Sequence, residues 1–159
     1  MTRVGAGMKK EGQAGECADK PIIGWREWVA FPDLDVPRVK AKIDTGARSS
    51  AMHASGISEF NRDGVLWVNF HIHPFQRKKH VRVSCSARVF DHREVKSSSG
   101  HRQERYVIIT RLEIMGQCYP IEITLTDRDS MGFRVLLGRT AFRNHFLIDP
   151  NHSFLCGKK

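Results

Sequence analysis

No stretch of this 159-residue chain approaches the ~18 consecutive apolar residues that a membrane span requires. The first twenty residues, Met1 to Lys20, also lack the apolar segment of a signal peptide. Rich in Gly, Ala and charge, they read as a disordered leader, and the chain is expected to be cytoplasmic with no membrane partner. Cysteine is sparse: Cys17, Cys85, Cys118 and Cys156 are widely spaced and form no C-x-x-C pair, so they are expected to be free thiols, buried where they fall in strands. There is no G-x-x-x-x-G-K-[ST] loop, and Gly100-His101-Arg102-Gln103 does not replace one, so nothing points to ATP. There is no H-E-x-x-H either. His71-x-His73 with His80 could in principle hold a metal, but such a pair on one face of a strand normally meets solvent, and no metal is expected. Long amphipathic helical periodicity is missing as well.

Acidic residues are the minority, 17 against 26 basic, and the net charge is +9. The excess is concentrated. Gln76 to Arg105 holds nine basic and three acidic residues, a net +6, whereas the leader contributes only +1. Such a cluster is either a solvated face or a surface for an acidic partner, whether peptide or nucleic acid.

What is present is period-two alternation. Val39, Ala41 and Ile43 share one face, opposite Lys40 and Lys42; Leu66 to Ile72, Val81 to Val89 and Ile121 to Leu125 repeat the pattern. These predict half-buried antiparallel strands. Arg62-Asp63-Gly64, His73-Pro74 and Met115-Gly116-Gln117 punctuate them, and the last predicts a hairpin joining Tyr106–Met115 to Cys118–Thr126. Helix is expected only along Arg139–Asn144 and for at most one turn around Ser49–Ala54. The result is one all-β domain from Pro21 to Lys159, a closed barrel or sandwich with one short C-terminal helix.

The alternating run Arg38–Ile43 leads straight into Asp44-Thr45-Gly46-Ala47. A carboxylate at a tight turn, with a glycine for the reversal and a threonine hydroxyl to brace it, is how an aspartic protease presents its acid. Alone, this motif is also ordinary turn chemistry. A second element stands 94 residues downstream: Leu136-Leu137-Gly138-Arg139, an apolar strand ending in Gly-Arg before the short helix. Gly138 suits a place where two backbones approach closely.

Together with Ile23-Gly24-Trp25-Arg26-Glu27-Trp28-Val29, Lys40 through Ala54, and Val95-Lys96-Ser97-Ser98-Ser99-Gly100, these stretches carry a resemblance. The chain resembles, from about Ile22 to Leu155, the retropepsin-like aspartic protease family labelled "ATP-dependent zinc protease", often encoded beside ATP-grasp glutamate ligases. The resemblance implies a closed acid-protease barrel in which Leu136-Leu137-Gly138-Arg139 crosses beneath the catalytic loop and supports it. It implies Asp44, Thr45 and Gly46 as the catalytic turn. Neither the ATP nor the zinc of the label has a supporting motif, so no cofactor is expected.

The chemistry needs two carboxylates sharing a proton across a water, and this chain has one Asp-Thr-Gly and no internal repeat. Asp127-Arg128-Asp129 and Asp149-Pro150 lack the small-residue turn. The second acid is therefore expected from a second copy, in a C2 homodimer with Asp44 facing Asp44. Peptide or protein substrate would lie as an extended strand against Ala47 and Arg48, beneath a hairpin flap at Glu94–Arg102 whose tip is Lys96, Ser97, Ser98, Ser99 and Gly100. The basic residues around that flap would favour acidic, glutamate-rich peptides. Viral relatives usually carry an aspartate where this chain has Arg48, so this subsite is cationic. Two rival readings remain: a basic β-barrel that binds RNA or another polyanion through Arg77–Lys79, and a non-catalytic retropepsin-like regulator. No nucleic-acid motif accompanies the basic run.

Overall fold

The computed structural model describes residues 19–75, 77–78, 80–96, 100, 102–127 and 132–157, with backbone only at 95 and 96. Nearly all of the expected leader, together with Cys17 and the Ser97–Ser99 flap tip, lies outside them. Eleven strands are described: β1 Ile22–Gly24, β2 Arg26–Phe31, β3 Val36–Ile43, β4 Ser50–His53, β5 Ser55–Arg62, β6 Val65–Ile72, β7 Val83–Lys96, β8 Arg102–Ile114, β9 Gln117–Thr126, β10 Val135–Leu137 and β11 Leu147–Asp149. One short helix, α1, spans Arg139–Phe142, and a single 3-10 turn spans Pro32–Leu34. No helix among the described residues is long and apolar enough to cross a membrane.

The main sheet runs β2-β3-β10-β4-β9-β8-β7-β6-β5, and a further pairing of Ala30 with Glu113 joins β2 to β8. That closure makes a six-stranded barrel from β2, β3, β10, β4, β9 and β8, with β7, β6 and β5 continuing beyond it. Closure removes two edges that would otherwise need covering. Alternation does what the sequence pattern requires: Val39 and Ala41 are fully buried and Ile43 nearly so, while Lys40 and Lys42 face away. Phe31, Met52, Ile108, Leu112, Ile123, Leu125 and Leu137 fill the centre.

Two expectations are corrected. The strands are not all antiparallel: β3 pairs with β10 in parallel, as do β4 with β9 and β1 with β11. Residues 50–53 are strand rather than a helical turn, because β10 returns between β3 and β4 and offers both a hydrogen-bonding edge. The hairpin of β8 and β9 forms around Met115-Gly116 as predicted. Of the cysteines described, all free, Cys85 is buried, Cys156 half-buried and Cys118 exposed; Cys118 falls on the outward phase of β9.

Glu27, the second residue of β2, is a wholly buried carboxylate. It accepts the backbone N–H groups of Gly24 at 2.6 Å and of Leu155 and Cys156 at 3.0 Å each. Three donors compensate the burial of its charge and bind the C-terminal segment to β1 and β2.

Candidate active site

The chain leaves the sheet at Asp44, directly after β3. Its backbone N–H donates to the Leu137 carbonyl at 2.8 Å, so the first residue of the turn is held by the last residue of β10. The turn then closes on itself: Gly46 N–H donates to Asp44 Oδ1 at 3.1 Å and Ala47 N–H to the Asp44 carbonyl at 3.3 Å. This is the local side-chain-to-backbone capping expected of an aspartate at a turn. Asp44 is half-buried, whereas Thr45 and Gly46 stand exposed at the crest.

The Leu136–Arg139 segment lies directly under this loop. Arg139 Nη1 donates to the Thr45 carbonyl at 3.0 Å and Arg139 N–H to the Ala47 carbonyl at 2.8 Å. The Arg48 carbonyl accepts from the Thr140 N–H at 3.1 Å and its hydroxyl at 2.9 Å. Gly138 N–H donates to Ser50 Oγ at 3.0 Å. A β-carbon at Gly138 would stand 2.3 Å from the Ser49 carbonyl oxygen, so only glycine permits this approach. The two sequence motifs, 94 residues apart, thus form one hydrogen-bonded unit.

Asp44 opens into a pocket of about 200 Å³ lined by Ala47, Ala51, Thr124, Leu136 and Arg105 among others. Arg105 is a site residue that the motifs do not single out. It sits on β8 one register step past Tyr106, which pairs with Leu125, and so reaches the pocket beside Thr126. The only sequence signal for it was membership of the basic cluster; its direction depends on strand register. Arg48 is exposed, and its backbone rather than its side chain makes the described contacts.

The expected flap segment lies at the end of the long β7–β8 hairpin. Glu94 pairs with Glu104, Val95 with Gln103 and Lys96 with Arg102, and Gly100 has a φ of +86°, a conformation suited to glycine. The basic cluster divides. Arg93 pairs with Asp91 at 2.7 Å and Arg102 with Glu94 at 3.3 Å, while Arg105, Arg77 and Lys78 line cavities. Among the described residues there is no group of three or more His, Cys, Asp or Glu placed to hold a metal ion. His71 and His73 do not project freely: His73 Nε2 lies 2.7 Å from Ser55 Oγ and His71 Nδ1 3.2 Å from Ser84 Oγ.

Comparison with known proteins bears on this arrangement. A protein named "Probable alpha-L-glutamate ligase" from Shewanella pealeana is 48% identical over 141 residues, covering 89% of this chain. One of the same name from Parasynechococcus marenigrum is 41% identical over 138 residues, covering 87%. The chain spans less than a third of either, 31% and 30%. A crystal structure of a Legionella pneumophila protein of unknown function superposes with a TM-score of 0.73 at 26% identity, covering 86% of this chain and 98% of that one. A family profile described as "Retropepsin-like aspartic endopeptidase RimB" matches residues 22–159, a span that contains the Asp44 turn, the segment beneath it and the whole barrel. On that match, over nearly the full chain and in the fold it implies, this protein belongs to the RimB-like family of retropepsin-like proteins.

Proposed function

We propose that the chain is an aspartic endopeptidase that works as a C2 homodimer, with a water activated between the Asp44 carboxylates of the two subunits. The observation that carries this reading is the placement of Asp44 on a braced loop, tied to Leu137 and, through Thr45 and Ala47, to Arg139. Such a loop holds a carboxylate in fixed geometry at the mouth of a pocket, as a general acid–base requires.

Two carboxylates meeting on the axis cannot both ionise comfortably, so they share one proton and titrate as a pair. The ionised oxygen takes a proton from the water as it attacks the scissile carbonyl carbon. The protonated partner gives its proton to the carbonyl oxygen. Collapse of the tetrahedral intermediate, with proton transfer to the amine, breaks the C–N bond. Thr45 braces the two loops and Gly46 offers its backbone to substrate, which lies extended beneath the β7–β8 hairpin. Arg105 in the pocket and Arg48 on the loop make the cleft cationic, which favours acidic peptides.

Purified protein assayed on a peptide library, wild type against Asp44→Asn and each with and without chelator, tests this. Turnover that falls by at least ~10³-fold in Asp44→Asn and is indifferent to chelator is the expected result. Activity retained in Asp44→Asn sinks the mechanism, and activity lost on chelation replaces it with a metal-assisted one. Poly-glutamate peptides cut no faster than neutral ones at low salt would remove the acidic preference while leaving the peptidase.

A further inference from the structure

One outward face of the sheet carries more than the Asp44 pocket. Trp28 on β2 pairs with Lys40 on β3. Val135 pairs with both Ala41 and Met52, which sets Arg134, one residue earlier, beside Lys40 and His53. The His53 N–H donates to the Arg134 carbonyl at 2.8 Å, and His53 pairs onward with Thr126. Thr126 and Leu136 line the Asp44 pocket. Leu136 is two residues from Arg134 on the same side of β10, about 7 Å along the strand.

Next to that pocket, on that face, lies a groove of about 490 Å³ lined by Trp28, Lys40, Phe75, Arg77, Lys78 and Arg134, with Pro74 at its side. Lys40, Arg77 and Lys78 converge there in front of the buried Arg134, and among the described residues no carboxylate lines it. Arg93, Arg102 and Arg111 each have a carboxylate partner, whereas Lys40, Arg77 and Lys78 have no ion pair among the described residues. Arg134 is only 3% exposed, so part of this positive charge is built into the barrel rather than hung on flexible stems. Phe75 stays 42% exposed at the rim.

A groove of this charge suits an anion, and its aromatic residues bear on which kind. The Trp28 ring is already engaged by Phe154, stacked at 5.8 Å, by the Arg38 guanidinium at 3.8 Å and by the Lys40 ammonium at 5.3 Å. Single-stranded nucleic acid is held largely by open aromatic faces on which successive bases stack; here the Trp28 ring is spent on the protein's own side chains, which leaves Phe75 as the one open ring among the described lining residues. Carboxylates need only the cations.

We propose that this groove is an exosite that holds acidic side chains of a peptide running on from the Asp44 pocket, beginning roughly four residues from the scissile bond, because Arg134 is level with Lys40, four residues before Asp44. The proposal rests on the endopeptidase reading for what the peptide is doing there, but its binding chemistry can be measured without turnover. Arg77 and Lys78 are exposed loop residues, so reversing both charges leaves the core untouched.

The test uses Asp44→Asn protein, with and without Arg77→Glu/Lys78→Glu, titrated against a fluorescein-labelled deca-glutamate peptide and a labelled ten-nucleotide single-stranded RNA at fixed ionic strength. Anisotropy should report a peptide Kd at least ~10-fold weaker in the charge-reversed protein, and about midway for Arg77→Gln/Lys78→Gln. With Asp44 intact, the same reversal should raise KM for deca-glutamate by a similar factor. Peptide affinity that survives the reversal overturns the exosite. RNA bound more tightly than peptide, and released by the reversal, overturns the assignment to a peptide. If the intact protein cuts no peptide at all, the endopeptidase reading fails, and the anisotropy still decides whether the groove takes polycarboxylate.

Discussion

Gly46 and Gly138 flank the same loop but are glycine for different reasons. At Gly138 a β-carbon would collide with the Ser49 backbone at 2.3 Å, and backbone cannot step aside cheaply. Gly138→Ala should therefore cost roughly 1–3 kcal/mol, read as a fall in urea midpoint, with activity lost alongside it. Gly46 has no positive φ, and a β-carbon there would meet nothing nearer than Asp44 Oδ1, at an ordinary 3.4 Å. The turn itself does not demand glycine, contrary to the reading of Asp-Thr-Gly as a reversal that needs one. Gly46→Ala should leave the urea midpoint of the isolated subunit within about 0.5 kcal/mol of wild type while cutting kcat/KM by at least ~10-fold. Equal losses of stability at both positions would mean that Gly46 serves folding rather than substrate or the facing subunit.

At the scale of elements, the barrel closes where β2 meets β8, and the 3-10 turn after β2 is pinned to β8 beside that seam. Asp33 Oδ2 accepts the Arg111 backbone N–H at 3.0 Å, and Oδ1 accepts Nε at 2.9 Å and Nη2 at 2.6 Å. These bonds from Arg111 hold the Asp33 carboxyl below its usual range. A depressed carboxylate contributes stability that is present above its unfolded pKa, near ~4, and is lost as pH falls through the lower folded value. Asp33→Asn should then lower stability by at most about 1 kcal/mol at pH 7, since the pair is partly solvent-exposed, and the difference from wild type should shrink as pH falls through the folded pKa. Thermal melts from pH 7 to pH 2 measure it; a gap that widens on acidification refutes it. Elements of this kind also mark what could be read in the chain. Strands β3, β6 and β9 were legible because one face is core, and the β8–β9 hairpin because Met115-Gly116 punctuates it. The pairing of β10, parallel to β3 and antiparallel to β4, was not, since three residues carry no register of their own. The same gap hid Arg105 and Arg134: a basic side chain declares its charge in sequence, but only the neighbouring strands decide whether it meets Asp91, solvent or the Asp44 pocket.

At the scale of the whole molecule, one chain supplies one Asp-Thr-Gly turn, so the proposed chemistry needs two chains. Each carries a formal charge of +9, and bringing two together is opposed by their mutual repulsion over a Debye length of about 8 Å at physiological salt. Dimerisation should therefore be weakest in dilute, low-salt solution. Specific activity should fall on dilution under those conditions and recover as salt is raised, until screening begins to weaken the hold on an acidic substrate. Subunit mixing separates this from any other cause of lost activity. When wild type and Asp44→Asn are combined in equal amounts and allowed to exchange, about half of the wild-type subunits sit in mixed dimers with a single ionisable Asp44. Activity per wild-type subunit should drop to about half, and further as the variant is added in excess. Activity proportional to wild-type subunits at every ratio would mean that a single chain completes its own site, and the second acid would then have to be sought within the barrel.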